Sequence, residues 1–218
     1  MTRETNVEFS ELYSAYASGS LDAGFTLLVE TQAALRQDIA VEVLLSEAIA
    51  GAFLEEQEPT ELASCSLDKT FALIDRAETP LQAHRAAAAA GTKMLNEISV
   101  LPSPLLDHAV DAIAVNGWKS ASAGVQCLTM DLGTKTEVEL YRIEPNQAVP
   151  RHSHAGSEFT LVVAGGFTDE TGSFGPGDLS VKGPKDTHQP VADAGEVCYA
   201  LAVRDGDLKL TGVMGVFQ

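Results

Sequence analysis

The stretch that most constrains this chain is 150–165, PRHSHAGSEFTLVVAG, which sets His152, His154 and Glu158 as H-x-H-x3-E inside a run of strand-forming residues. Side chains alternate faces along a strand, so His152 and His154 point the same way. Glu158 lies a further even step on and reaches that face if the Ala155-Gly156 bend keeps the register. Two imidazoles and a carboxylate on one face make a site for a divalent transition metal. The other histidines are His84, His108 and His188. His188 follows the turn sequence SFGPGD in the strand-like segment KDTHQPVA, where an antiparallel partner strand would carry it opposite the pair. The donor set is then three nitrogens and an oxygen, which suits zinc, iron, manganese or nickel. Neutral imidazole is required, so binding is expected to weaken as pH falls through the ~6.5 region of free histidine. His84 and His108 have no ligand-spaced companion.

Composition narrows the setting. The net charge of −17 argues against nucleic acid as a direct partner, since phosphates are met by Lys and Arg. No apolar run approaches the ~20 residues of a membrane span, and the start, MTRETNVEFSELY, has no secretory h-region. Cys65, Cys127 and Cys198 are an odd set in unrelated contexts, so no disulfide framework is expected. The expected compartment is the cytoplasm.

Along the chain, residues 1–80 read as short helices. Phe9, Leu12, Tyr13 and Tyr16 follow helical spacing, Gly19 marks a stop, and Ser20 is the expected N-cap of the next helix. Phe25, Leu28, Gln32, Leu35 and Ile39 form one stripe; Val41, Leu45, Ile49 and Phe53 form another; Leu67, Phe71 and Ile74 form a third. Stripes of this kind suit a small bundle, and equally a helix that binds a partner. Residues 81–98 read as a linker, in the Pro- and Ala-rich segment ETPLQAHRAAAAAGTK and its sequel. From residue 99 to 218 the period is that of strands, with VQCLTMDL, TEVELYRIE, FTLVVAGGF, DLSVK, EVCYALAV and LKLTGVMGV separated by turn sequences. The expected class is therefore α plus all-β in two domains, a helical bundle and then a double-sheet barrel. Asp169 and Glu170 read as solvated residues of a hairpin, and Cys198 as a buried, inert thiol.

His152, His154, Glu158 and Gly165, followed by His188, resemble the metal motif of the cupin barrels, a jelly-roll-like fold. The resemblance departs from the family's pattern at Asn146, where a Gly is usual, and around His188, which lacks the usual preceding Gly and following Asn. With the helices in front, the layout is similar to the ChrR-like zinc anti-sigma factors: SELYSAYASGSLDAGFTLLVETQAAL looks like their first two helices, and NQAVPRHSHAGSEFTLVVAGGFTDETGSFGPGD like their barrel core. That resemblance implies a helical domain binding an ECF-type sigma factor and a metal-bound barrel sensing oxidative stress, with zinc the first metal to expect. The family also carries an upstream His and an H-x3-C-x2-C motif after its second helix. The matching positions here are Gln32, Arg36 and Ile39, which are not ligands, and no His precedes His84. A zinc site needs about four N, S or O donors, so this one is lost. Packing is expected to hold that junction instead. A homodimer is compatible with the same layout. The alternative is a metal-dependent cupin enzyme, of dioxygenase or isomerase type, whose helices serve oligomerisation.

Overall fold

Helical stripes and strand alternation are both realised in a computed structural model of the chain, which describes residues 5–75, 98–205 and 208–210. The described elements up to Ala50 and after Leu101 pack as one compact unit, and Gly51–Val100 make a second.

In the first unit, α1 (Thr5–Ala17), α2 (Ala23–Leu35) and α3 (Gln37–Glu55) follow one another closely. The cap of α2 is Asp22, not Ser20: its Oδ1 accepts from the Phe25 amide at 3.1 Å, while the Ser20 hydroxyl turns back to the Ala15 carbonyl at 3.0 Å. Either side chain can cap; the exit of the chain from Gly19, which has φ +67°, leaves only Asp22 within reach of the new helix. The stripe from Phe25 to Ile39 is broken at Arg36, whose backbone is extended at φ −128° and ψ 111°. Tyr13, Val29 and Val43 form a small core that Leu12 and Ile39 complete.

The second expected stripe does not enter that core. Val41, Leu45, Ile49 and Phe53 are 57, 55, 52 and 64 % exposed, and Val43 is the buried residue of α3. Helical period alone cannot say what covers a face. In the second unit a helix, α4, runs over 66–75, and its Leu67, Phe71 and Ile74 are likewise exposed. The expected linker and His84 fall outside the described residues.

Beyond Leu101 the first element is a helix, where strand period was expected: α5 (Ser103–Val115). Its Leu105, Ala109, Ala112 and Ile113 are buried at i, i+4, i+7 and i+8, and Pro104 stands in the first turn, where a missing N–H costs nothing. His108 is exposed on it.

The strands are β1 (Lys119–Ser122), β2 (Val125–Met130), β3 (Glu137–Ile143), β4 (His152–His154), β5 (Glu158–Ala164), β6 (Phe167–Asp169), β7 (Gly172–Phe174), β8 (Leu179–Lys182), β9 (Thr187–His188), β10 (Val191–Ala192), β11 (Cys198–Arg204) and β12 (Leu208–Leu210). A six-stranded sheet has the order β1-β2-β3-β11-β5-β8, and two three-stranded sheets have the orders β10-β6-β7 and β12-β4-β9. All the pairings are antiparallel. β11, central between β3 and β5, is buried along its whole length. One of its faces joins Val125, Ile143, Val162 and Phe167 in an apolar interior through Cys198 and Ala200. The opposite face of the sheet lies under α2, where Phe25 meets Phe159 edge-on with ring centroids 5.1 Å apart. Asn146, at the position where the barrel motif usually has Gly, takes the left-handed conformation at φ +61°, which Asn tolerates better than most residues.

Gly165 closes β5 at φ +66°, and a Cβ there would stand 2.6 Å from the Val197 carbonyl oxygen. Gly165→Ala is therefore expected to cost about 2 kcal/mol or more through backbone strain and a forced shift of the β11 entry. Thermal melting followed by circular dichroism would register it; an unchanged midpoint would contradict the reading.

Candidate metal centre

Strand parity and one register bring the four residues of the motif together. His152 and His154 lie on the same face of β4, His188 of β9 is the direct partner of His152 across the ladder, and Glu158 opens β5. All four are buried, and one donor atom from each lies within 4.8 Å of all the others. His152 Nε2 is 2.9 Å from His188 Nε2, which is 3.2 Å from His154 Nε2. Glu158 Oε1 is 3.6 Å from His188 Nε2.

The outer nitrogens say what the inner ones are. His152 Nδ1 is 2.8 Å from the Pro150 carbonyl, which can only accept, so Nδ1 carries the proton and Nε2 a lone pair. His188 Nδ1 is 3.1 Å from Asp169 Oδ2, and the same argument leaves its Nε2 a lone pair. Two lone pairs facing each other at 2.9 Å repel unless a cation lies between them. His154 Nδ1, also buried, has no hydrogen-bond partner. Metal–nitrogen bonds of ~2.0–2.1 Å put neighbouring donors ~3.0 Å apart at a right angle and ~3.4 Å apart at the tetrahedral angle. The donor set fits a transition metal.

Residues around the four fix their state. Asp169, expected to be solvated, has a fully buried side chain that accepts from Thr171 N at 2.8 Å, Thr171 Oγ1 at 2.7 Å and His188 Nδ1, and pairs with Lys182 Nζ at 3.0 Å. Burial works against its charge, but these hydrogen bonds outweigh burial and hold the carboxyl well below the usual range. Glu158 Oε1 accepts from Thr160 Oγ1 at 3.0 Å, and Arg204 Nη1 stands 3.5 Å from Oε2. Arg204 is itself buried, held by Glu137 at 2.8 Å and Glu139 at 2.6 Å. Asp169, Lys182 and Arg204 are the residues sequence reasoning missed. Parity would have found Arg204, two steps beyond Ala202 on the inward face of β11; Lys182 and Asp169 depend on a register between distant strands. Arg142 and Arg151 are engaged at the surface by Glu144 and Glu170.

Burial pushes the His152 imidazole down to about 4, against the Pro150 carbonyl and Glu158, which favour its charged form; burial lowers His154 too. Proton competition at His152 thus begins well below the ~6.5 of a free imidazole. For the metal-free protein the unfolded chain takes up this proton near 6.5 and the folded chain near 4. The unfolded state holds more protons in that window, so stability is lost as pH falls through it, by about 3 kcal/mol from this residue. Melting of chelator-treated protein at pH 7.5, 5.5 and 4 would check the sign; a midpoint that rises on acidification would contradict it.

A cavity of about 30 Å³ adjoins His152 and Glu158, walled by Tyr141, Thr160, Phe167 and Ala200. Water needs ~10–15 Å³ by this measure, so the space suits one or two small molecules and not a drug-sized substrate. Cys198 lines the apolar interior, and burial pushes its thiol up to about 12, as expected of an inert residue.

Gln32, Arg36 and Ile39 gather no ligand. Gln32 is buried, accepts from the Tyr13 hydroxyl at 2.9 Å and donates to the Gly177 carbonyl at 3.1 Å. Arg36 pairs with Asp38 at 2.6 Å and Asp178 at 3.2 Å, and Ile39 packs on the Tyr13 core. Burial first, then Asp38, pushes the Tyr13 phenol up to about 12, so it stays a donor. Among the described residues, the one group of three or more potential metal ligands is the His/Glu set.

Three similarities stand beside this geometry. A family profile described as the ChrR cupin-like domain matches residues 107–206. The anti-sigma-E factor ChrR of Cereibacter sphaeroides is 33% identical over 204 residues, 93% of this chain and 91% of that protein. The crystal structure of Rhodobacter sphaeroides SigE in complex with the anti-sigma ChrR superposes with a TM-score of 0.70 at 31% identity, covering 90% of this chain and 96% of that one. Among the described residues no helix is long and apolar enough to cross a membrane.

Proposed function

The chain belongs to the ChrR family of anti-sigma factors, and from that premise we propose that it is itself an anti-sigma factor: its helical part takes up an ECF-type sigma factor, and its barrel is a metal-bound sensor of oxidative stress in the cytoplasm. The observation that carries the reading is the exposed apolar stripe of α3, Val41, Leu45, Ile49 and Phe53, in a chain similar end to end to a protein solved with its sigma factor. Large apolar faces left in water mark surfaces that a partner covers. The proposed division is helices through residue 80, a linker over 81–98 and the barrel from 99. The acidic surface, with net charge −17, suits a basic protein partner and not nucleic acid.

His152, His154, Glu158 and His188 are the proposed ligands, with zinc the first choice and iron, manganese or nickel fitting the same donors. A bound ion would supply a Lewis-acidic centre at the edge of the small cavity. The chain's own part is to present neutral imidazoles: Pro150 fixes the tautomer of His152, Asp169 that of His188, and Thr160 orients Glu158. Loss of Asp169 would free the His188 ring. Asp169→Asn is expected to weaken metal binding ~10–100-fold, read by competition with a chromophoric chelator. Wild-type affinity would refute the orienting role.

Co-expression with an ECF-type sigma factor, the one encoded beside it if there is one, followed by gel filtration, tests the whole reading. A one-to-one complex supports it. Separate elution would move weight to a metal-dependent enzyme, although a ~30 Å³ cavity leaves little room for an organic substrate.

A further inference from the structure

The α2–α3 junction, where the chain has no zinc ligand, is tied to the barrel by side chains instead. Gln32 receives the Tyr13 hydroxyl of α1 and donates to the Gly177 carbonyl, so one buried amide joins α1, α2 and the 175–178 loop. Arg36, the extended residue between the two helices, reaches Asp178 on that loop at 3.2 Å. Gly177 has φ +84°, and a Cβ there would collide with the Arg36 stem, so that stem lies across the loop in the space a side chain would fill. The loop itself belongs to the metal site's framework. Its Gly177 N–H donates to Val162 of β5 at 2.8 Å and its Asp178 carbonyl accepts from Val162 N–H at 3.0 Å. β5 begins at Glu158, and β7, which leads into the loop, pairs with β6, which ends at Asp169. Glu158 therefore sits on a strand bonded to this loop, and Asp169, which holds His188, on a strand whose partner leads into it.

We propose that Gln32 and Arg36 form a metal-free lock between the α2–α3 junction and the 175–178 loop, and that this lock carries a change at the barrel's metal centre to α3. A zinc-pinned junction would hold the helices to one another; this junction is held to the sensor. Gln32 and Arg36 are positioning residues and touch no ligand. That the lock governs partner release rests on the anti-sigma reading; the lock itself does not.

The test is hydrogen–deuterium exchange on the full, metal-loaded chain without any sigma factor, before and after a chelator, for wild type and Gln32→Met. Methionine keeps the volume and removes both hydrogen bonds. In wild type, chelation is expected to speed exchange of amides 33–43 at least ~10-fold, beyond the change in α5, which makes no contact with the loop among the bonds described. In Gln32→Met those amides already exchange fast with metal bound, and chelation adds less than ~2-fold, while the metal content stays that of wild type. If Gln32→Met does not fold, Arg36→Ala with Asp178→Ala, both at the surface, carries the same expectation at smaller amplitude. Wild-type exchange in the variants, or a wild-type α2–α3 junction indifferent to chelation, overturns the proposal. Failure to bind a sigma factor would count against the anti-sigma reading and leave this result standing.

Discussion

Leu45→Asp combined with Ile49→Asp is expected to weaken sigma-factor binding by about 1,000-fold while leaving the melting temperature of the free protein nearly unchanged. Both side chains are more than half exposed, and surface substitutions usually shift stability by no more than ~0.5 kcal/mol. In a partner's interface the same positions would be desolvated. Two apolar anchors at ~2 kcal/mol each, replaced by carboxylates that must be buried, give the expected loss. The two arms separate the alternatives that the stripe alone left open. If the face were covered by another part of the same chain, the double variant would melt early, and any loss of binding would follow from unfolding. Calorimetric titration of the sigma factor together with a melting curve decides it. A normal melt with normal affinity would remove α3 from the interface.

His188→Ala is expected to cut the response of stability to metal to about a third. Wild type should melt ~10 °C lower after chelation, because an ion held ~1,000-fold below its working concentration adds ~4 kcal/mol, and a chain of this length gains ~2–4 °C per kcal/mol. The variant, with ~10-fold saturation left, should melt only ~3–4 °C lower after chelation. Structural zinc sites bind with ~10–16 kcal/mol over four ligands, so one missing imidazole costs ~100-fold or more in affinity. His108→Ala is the control: that side chain is exposed on α5, away from the four ligands. A chelator shift of the wild-type size in His188→Ala would mean that the ion is held elsewhere.

How much of this was legible follows from which contacts are local. His152, His154 and Glu158 declare themselves because strand parity is a property of neighbouring residues, and Gly165 because its motif spacing is local as well. His188 was found by its chemistry, and its register opposite His152 was an expectation that the β4–β9 ladder meets. Asp169 looked solvated because it stands beside Glu170 in a hairpin; only the arrival of Lys182 and His188 from other strands buries it. The α5 helix was missed although Leu105, Ala109, Ala112 and Ile113 are helically spaced, since a thirteen-residue segment before a run of strands was read with their period. The stripe on α3 was seen, but a period records which residues share a face and not what lies across from it. At Gln32, Arg36 and Ile39 the structure has a buried hydrogen-bonded amide, an ion pair and an apolar contact. The hydrogen bond from Gln32 to Gly177 spans 145 residues and has no local signature.

The place of β11 has a consequence for how the protein is made. It lies between β3 and β5, yet both of those strands leave the ribosome well before it does. Until Arg204 has been synthesised, β3 and β5 each present an unpaired edge, and Glu158 is paired with Lys182 on one side only. The helices meanwhile are already out, with the apolar side of α3 uncovered. A newly made molecule therefore passes through a period in which the exposed stripe of α3 exists and the central sheet that flanks Glu158 is still open.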